Sequence, residues 1–209
     1  MEKRAYDLVS KINRGVAVKV IPGHIATKHS HVNYCVDMTK IKSQLGAAKA
    51  AAKMLADRFS STPVDTIITL DRMKMVGAFM ADYLANSHIN LNQDIAVITP
   101  EINDGIMVLR DNFLPFVKGK RVLLLTASAT TGKDVRSVVE GIVYYGGDAV
   151  GAAMVFGDEF ECKVPVVKIF GMEDIPDYAS YAPVECPMCK SKVKVDALVN
   201  SYGYSKIVK

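Results

Sequence analysis

The sequence predicts an α/β protein with a central, mainly parallel sheet and helices on both faces. Five short apolar runs, rich in β-branched residues, have the composition of strands that are covered on both faces. Helical patterns, with apolar residues three and four positions apart, lie between them. This alternation requires right-handed crossovers and therefore a parallel sheet. The predicted strands are residues 64–70, 94–99, 121–126, 149–156 and 164–170.

Three helices are predicted between these strands, over residues 41–59, 73–86 and 133–145. The first helix would bury one face made of Ile41, Leu45, Ala48, Ala52, Leu55 and Phe59. The third would bury a stripe made of Val135, Val138, Val139, Ile142 and Val143. Gly146 and Gly147 follow this stripe and should end the helix, because glycine adopts the left-handed conformation common at helix ends.

Composition indicates one ordinary globular domain over residues 1–209. Half of the residues are apolar and 23% are charged, which differs from the composition of disordered chains. The net charge of +4 is spread along the chain and suits small anionic substrates better than nucleic acid. The sequence shows no signal peptide and no apolar stretch near the roughly 20 residues that span a bilayer. We therefore expect a cytoplasmic protein without membrane contact, whose four cysteines are reduced thiols.

The segment RVLLLTASATTGKD (residues 121–134) carries the clearest chemical signal. A buried strand runs into small and hydroxyl residues and then directly into a helix, whose N-terminal N–H groups attract anions. Thr130 and Thr131 would add hydroxyl donors, so the segment predicts a phosphate site. The nucleotide-binding P-loop, GxxxxGK[ST], does not fit, because Ala127 and Asp134 replace required residues. A plain tight turn with a helix cap is the other interpretation.

This strand–loop–helix resembles the phosphoribosyl-pyrophosphate (PRPP) motif of type I phosphoribosyltransferases. The segment GHIATKHSHVNYCVDMTKIK (residues 23–42) resembles the opening of orotate phosphoribosyltransferases, and later segments follow in that family's order. The resemblance implies the type I phosphoribosyltransferase fold, with a small hood formed by the N-terminal segment 1–40 and the C-terminal tail (residues 172–209). Those two segments would form the hood or dimer contacts, and the protein would be a homodimer.

The implied activity is transfer of phosphoribosyl from PRPP to a nucleobase such as orotate, with release of pyrophosphate and with Mg²⁺ bound alongside PRPP. Asp71, Arg72 and Lys74 would bind pyrophosphate, although Arg72 and Lys74 could instead be solvated residues at a helix start. The residues that would bind PRPP and its 5′-phosphate are Thr126, Ala127, Ser128, Ala129, Thr130, Thr131, Gly132 and Lys133.

Two parts of the family pattern are altered. Thr126 and Ala127 stand where the family has an acidic pair, and the lid expected over residues 100–115 offers only Arg110 as a basic residue. A second hypothesis is therefore a catalytically impaired protein of this fold that binds a nucleotide or PRPP as a sensor or regulator. An unrelated nucleotide-binding fold is a third.

The cluster around residues 28–34 would bind a planar base through hydrogen bonds and aromatic stacking. Its members are Lys28, His29, Ser30, Asn33 and Tyr34. The alternative is a surface loop. Lys28 and Arg110 are the candidate catalytic residues, and no general base is assigned.

Cys186 and Cys189 have the CxxC spacing of a zinc site but supply only two of the four ligands that a closed site needs. Cys162, Cys35 or a second subunit would have to complete it. The patterned tail that follows should dock on the core or on a partner subunit.

Overall fold

A computed structural model of the chain describes residues 2–28 and 30–207. It contains one main β-sheet from the middle of the chain and another from its two ends. The strands are β1 (Tyr6–Val9), β2 (Ala17–Ala26), β3 (His31–Asp37), β4 (Thr66–Thr69), β5 (Ala96–Ile98), β6 (Glu101–Asn103), β7 (Ile106–Val108), β8 (Arg121–Ala129), β9 (Asp148–Gly157), β10 (Val166–Gly171), β11 (Ser180–Tyr181), β12 (Ala197–Asn200) and β13 (Gly203–Lys206). The α-helices are α1 (Thr39–Ser43), α2 (Leu45–Arg58), α3 (Lys74–Ala85), α4 (Lys133–Tyr144) and α5 (Pro187–Lys190).

The central sheet has the strand order β10-β9-β8-β4-β5, and every neighbouring pair is parallel. Each of the five predicted runs overlaps one of these strands, so the predicted parallel sheet is confirmed. Strand β8 is longer than predicted and continues to Ala129, because its last residues pair with β9 as far as Gly157.

The two faces of this sheet are covered by different helices. Ile67 and Leu123 point into the apolar cluster shared with α2 and α3. Ile68 and Leu124, the next residue on each strand, point into the cluster shared with α4. All four are fully buried, as expected where successive side chains alternate between two covered faces. The prediction of helices on both faces is confirmed.

Two details of the predicted helices are wrong. The helix expected over 41–59 is broken into α1 and α2 at Gln44, whose backbone is extended. Leu45 therefore starts a new helix and is 58% exposed instead of buried. In α4, Val143 is 60% exposed, because it lies at the margin of a face centred on Val135, Val139 and Ile142.

The hood sheet has the order β11-β3-β2-β12-β13, with β1 also paired to β2. Strands β2 and β3 form an antiparallel hairpin. Strand β12 adds to β2 in parallel, with Ala197 opposite Ile25, so the C-terminal tail docks on the N-terminal segment of the same chain. Val18 and Val20 of β2 pack in the cluster shared with α2, which joins the hood to the central sheet. Among the described helices, none is long and apolar enough to cross a membrane.

Candidate active site

Two of the predicted phosphate-binding segments meet at the carboxyl edge of the central sheet. Strands β4 and β8 are parallel neighbours, so the Asp71 loop (residues 70–73) and the Thr130 loop (residues 130–132) leave the sheet at the same edge. The Thr126 hydroxyl donates to Asp71 Oδ2 at 2.6 Å, and the Ala127 N–H donates to the same oxygen at 3.3 Å. One carboxylate thus lies beside the two positions where an acidic pair was expected.

The loop between β8 and α4 is shorter than the phosphate loop predicted over residues 126–133. Thr126, Ala127, Ser128 and Ala129 belong to strand β8, where Ser128 lies opposite Phe156 and Ala129 opposite Gly157. Thr126 and Ala127 are both 3% exposed. Because these residues pair with β9, they belong to the sheet. The loop therefore consists of Thr130, Thr131 and Gly132, and Lys133 begins α4.

Gly132 has a backbone conformation that only glycine adopts at low cost. Its φ is +69°, in the left-handed region. The Phe160 ring packs directly against it, so that a Cβ at Gly132 would lie 2.2 Å from Phe160 Cδ2. The first N–H groups of α4 have no partners within the helix, and together with the helix dipole they create surroundings that favour an anion.

The Asp71 loop is strained. Asp71 and Arg72 have φ values of +49° and +63°, which cost energy in residues with a side chain. Contacts at both side chains hold this conformation, since Asp71 accepts the two hydrogen bonds from β8 and the Arg72 guanidinium lies 4.5 Å from the centre of the Tyr202 ring. Lys74 begins α3 and is exposed. Strain of this kind is common at functional sites.

Lys42 is a basic residue near this loop that the sequence did not reveal. Its ammonium group donates to the Ser201 carbonyl oxygen at 3.2 Å. Burial lowers the pKa of Lys42, and the negative charges of Asp71 and Asp37 partly oppose this shift. Nothing in the local pattern distinguishes Lys42 from other lysines, because its environment is created by the tail that folds over it.

The candidate base-binding residues already have partners within the hood. Asn33 Oδ1 accepts the Ala179 N–H at 2.8 Å, and its amide nitrogen donates to the Asp177 carbonyl oxygen at 2.5 Å. Tyr34 stacks on Tyr178, with ring centres 6.4 Å apart. Both residues therefore anchor the tail, and a role in base binding stays a prediction.

The remaining members of that set lie at the turn between β2 and β3. Ser30 belongs to the turn, where its hydroxyl lies 2.9 Å from that of Thr27. Lys28 is exposed, and His29 lies outside the described residues. Among the described residues, no hydrogen bond or ion pair joins Lys28 or Ser30 to the Asp71 loop, so their roles remain predictions.

The segment expected to form a lid contains an antiparallel hairpin whose first strand is exposed. Strands β6 and β7 pair, and Met107 of β7 is 3% exposed because it packs against Gly141 of α4. Arg110 donates to both carboxylate oxygens of Glu101, at 2.8 and 2.7 Å from Nη2, and Glu101 raises the pKa of Arg110. The structure thus gives the candidate catalytic Arg110 a carboxylate partner.

Cys186 and Cys189 lie beside His24 and His31, two histidines that the sequence interpretation did not connect with them. The His/Cys cluster (His24, His31, Cys186 and Cys189) has its potential ligand atoms within 4.8 Å of one another. Two further potential ligands, His24 and His31, come from β2 and β3 of the same chain, where the sequence had pointed to Cys35, Cys162 or a second subunit. The sequence feature that could have indicated this cluster is the pair His24 and His31, seven residues apart on the two strands of one hairpin.

The fold is that of the type I phosphoribosyltransferases. A crystal structure of adenine phosphoribosyltransferase from Trypanosoma brucei, in complex with AMP, pyrophosphate and ribose-5-phosphate, superposes with a TM-score of 0.55 at 15% identity. That match covers 85% of this chain and 88% of the other. No protein-family model matches the sequence.

Sequence relatives narrow the resemblance to orotate phosphoribosyltransferases. The enzyme of that name from Sulfurimonas denitrificans is 29% identical over 188 residues, which is 82% of this chain and 88% of the relative. The one from Chlorobium phaeobacteroides is 28% identical over 183 residues, which is 85% of this chain and 88% of the relative. The similarity therefore extends over most of the chain.

Proposed function

We propose that this protein transfers the phosphoribosyl group of PRPP to a nucleobase such as orotate and releases pyrophosphate. The observation that carries the proposal is the meeting of the Asp71 loop with β8 directly before the Thr130 loop. This arrangement provides a carboxylate, basic side chains and an anion-binding helix start at one sheet edge. The sequence similarity of the chain to enzymes named orotate phosphoribosyltransferase supports the choice of reaction.

The Thr130 loop would hold the 5′-phosphate of PRPP. The N–H groups from Thr130 to Lys133 and the positive end of the α4 dipole suit a dianionic group. Thr130 and Thr131 hydroxyls add donors. In this role the loop positions the sugar, which is the main contribution a protein makes to such a transfer.

Asp71 would take the place of the missing acidic pair. Both of its hydrogen bonds from β8 end on Oδ2, and within the described part of the chain Oδ1 has no hydrogen-bond partner. That oxygen is free to accept from a ribose hydroxyl or to bind a metal ion carried by PRPP. A negative charge here would stabilise the positive charge that develops on the sugar as the bond from C1 to pyrophosphate breaks and the base nitrogen bonds to C1.

The same carboxylate fits Mg²⁺, which prefers oxygen ligands and commonly uses one or two carboxylates together with substrate phosphates. When bound, Mg²⁺ supplies positive charge that favours departure of pyrophosphate. Arg72 and Lys74 would add further positive charge for the pyrophosphate, and Lys42 is placed to join them. The contact between Arg72 and Tyr202 fixes the direction of one of these side chains.

A homodimer in the cytoplasm is the setting we propose for this reaction. All four cysteines are free thiols, the state expected in a reducing compartment. Light scattering of the purified protein would measure its mass in solution.

A sensor or regulator that binds PRPP or a nucleotide is the second candidate function. Two observations favour it: positions 126 and 127 are neutral, and Arg110 is paired with Glu101. Such a protein would bind PRPP or a nucleoside monophosphate without turnover.

The test is release of pyrophosphate from PRPP and Mg²⁺ with orotate, uracil or a purine base, and calorimetric titration with PRPP alone. Base-dependent release supports the transferase and identifies its acceptor. Tight binding without release supports the sensor. Absence of both binding and release would reject both functions.

A further inference from the structure

The His/Cys cluster has the composition and geometry of a metal site. His24 lies in β2, His31 begins β3, Cys186 directly precedes α5, and Cys189 lies within α5. His24 Nε2 lies 3.0 Å from His31 Nδ1, 3.5 Å from Cys186 Sγ and 3.6 Å from Cys189 Sγ. Cys189 Sγ lies 3.3 Å from His31 Nδ1.

These separations match those between the ligands of a tetrahedral zinc ion. With Zn–N bonds of about 2.05 Å and Zn–S bonds of about 2.3 Å, tetrahedral angles place two nitrogens about 3.4 Å apart and a nitrogen and a sulfur about 3.6 Å apart. The observed nitrogen–nitrogen and nitrogen–sulfur distances differ from these values by a few tenths of an ångström. For these four pairs of ligand atoms, an ion at the centre would require only small adjustments, and all ligand atoms of the cluster lie within 4.8 Å of one another.

Contacts outside the cluster orient His24 as a ligand. Its Nδ1 lies 2.9 Å from the Val193 carbonyl oxygen, which can only accept, so Nδ1 carries the proton and Nε2 presents a lone pair to the cluster. Such a hydrogen bond from the second ring nitrogen is characteristic of metal-binding histidines. Asp196 fixes the backbone as well, since the His24 N–H donates to its carboxylate at 2.9 Å and the Asp196 N–H donates to the His24 carbonyl oxygen at 2.7 Å.

Cys186 and Cys189 lie on one tight turn of the chain. The N–H groups of Lys190 and Lys192 donate to the carbonyl oxygens of Cys186 and Cys189, respectively. Lys192 then adopts a left-handed φ of +57°, which turns the chain back. This tight turn directs both thiols to the same side, while the two cysteines remain free rather than joined in a disulfide.

Hydrogen bonding alone explains the cluster poorly. The His24 Nε2 lone pair is approached by His31 and by both thiols, yet it can accept fully from only one of them. Cys186 is fully buried and His24 is 1% exposed, so water cannot readily serve these two groups, whereas His31 is half-buried and Cys189 is exposed. A cation at the centre, with both thiols deprotonated, would use a lone pair from all four residues at once.

We propose that His24, His31, Cys186 and Cys189 bind one Zn²⁺ in a closed, structural site. Two imidazoles and two thiolates in a tetrahedron are the preferred environment of zinc. Four protein ligands leave no position for substrate, so the ion has no direct part in phosphoribosyl transfer. It joins the turn of the N-terminal hairpin to the start of the tail segment that continues into β12 and β13.

Metal content and ligand type are the first tests. The full-length protein, produced without a metal-affinity tag, should contain one zinc per chain by mass spectrometry. After exchange with Co²⁺, it should show the visible bands of a tetrahedral ion and a thiolate charge-transfer band. Absence of zinc together with absence of the charge-transfer band would overturn the proposal, as would a Cys186–Cys189 disulfide found by alkylation and mass spectrometry in freshly isolated protein.

Variants at the more accessible ligands identify the site. Cys189→Ser and His31→Gln should each weaken zinc binding by about 100-fold or more, since even outer contacts of metal ligands are worth 10- to 100-fold. Cys162→Ser and His88→Gln are matched controls, because they remove the same residue types elsewhere, and they should retain full zinc. Equal zinc in all four variants would refute the assignment. If the ligand variants do not fold, the cobalt spectrum of the unaltered protein decides.

The structural role has its own measurement, which does not depend on enzyme activity. Removal of the ion by a chelator should accelerate amide hydrogen exchange in residues 24–31 and 186–206 and leave the buried face of α2 unchanged. If exchange in the hairpin and the tail stays the same after zinc is lost, the ion does not join them.

Discussion

Replacing Asp71 by Asn tests whether this carboxylate compensates for the neutral residues at positions 126 and 127. The amide keeps the shape of the side chain and one acceptor oxygen for the Thr126 hydroxyl, but it removes the negative charge. Loss of one preorganised electrostatic group typically costs about 10²–10³ in rate. Because Asp71 is only half-buried and water screens part of its charge, we expect the lower end, about 100-fold in kcat/KM for PRPP, or ~2.7 kcal/mol.

The assay is base-dependent release of pyrophosphate at saturating Mg²⁺, with the free energy of unfolding measured in parallel. A charge-assisted hydrogen bond is worth about 1 kcal/mol more than a neutral one, so stability should fall by that amount only. Asp57→Asn is the control, because Asp57 is an exposed carboxylate that also holds a hydrogen bond, from Lys53 at 2.8 Å. If Asp71→Asn retains activity within threefold of the unaltered protein, Asp71 does not replace the acidic pair.

Three further changes test the loop, an ion pair and a buried amide. Gly132→Ala should lower the free energy of unfolding by at least about 1–2 kcal/mol, because its left-handed φ penalises a Cβ. The same change should weaken PRPP binding in calorimetry. Gly46→Ala is the control and should cost no stability, because a Cβ there meets no atom within 4 Å. The Arg121 guanidinium lowers the pKa of Asp65 from its usual 3.8 to about 2. The stability gained from this ion pair is present above pH 4 and is lost as the pH falls towards 2. Asp65→Asn should therefore remove this part of the acid dependence of the free energy of unfolding in denaturant titrations. Asn90→Ala should destabilise the fold by about 2–3 kcal/mol in the same titrations, since this fully buried amide accepts one backbone N–H and donates to one carbonyl oxygen and its loss leaves both unpaired.

The central sheet was predictable because each of its strands coincides with a short apolar run in the sequence. Runs such as 64–70 and 121–126 are bounded by polar residues and are too short for helices, so period and length together decide the assignment. The break at Gln44 was not predictable in the same way. Nothing in its neighbours forbids a helix, and the apolar residues of both helices, such as Ile41 and Leu55, pack in one cluster.

The candidate site was only partly predictable, because its decisive contacts are remote in sequence. The Thr130 loop is a local pattern and was found. The hydrogen bond from Thr126 to Asp71 spans 55 residues, and the contact of Cys186 with His24 spans 162. Local patterns carry no information on such pairings, which follow from the strand order of the two sheets. For the same reason, the sequence showed that Thr126 and Ala127 lack the negative charge of the expected acidic pair but did not show that Asp71 lies beside them.

The tail connects the proposed zinc site to the proposed active site through two contacts. After the cysteine turn it adds to the hood as β12 and β13, and the reversal between these strands brings Ser201 to Lys42 and Tyr202 to Arg72. Arg72 has a strained backbone and a long side chain, so the contact with Tyr202 restricts where its charge can lie. An ion that holds the start of the tail would therefore reduce the entropy lost when Arg72 engages pyrophosphate. Such coupling is reciprocal, so bound PRPP would in turn slow the loss of zinc to a chelator.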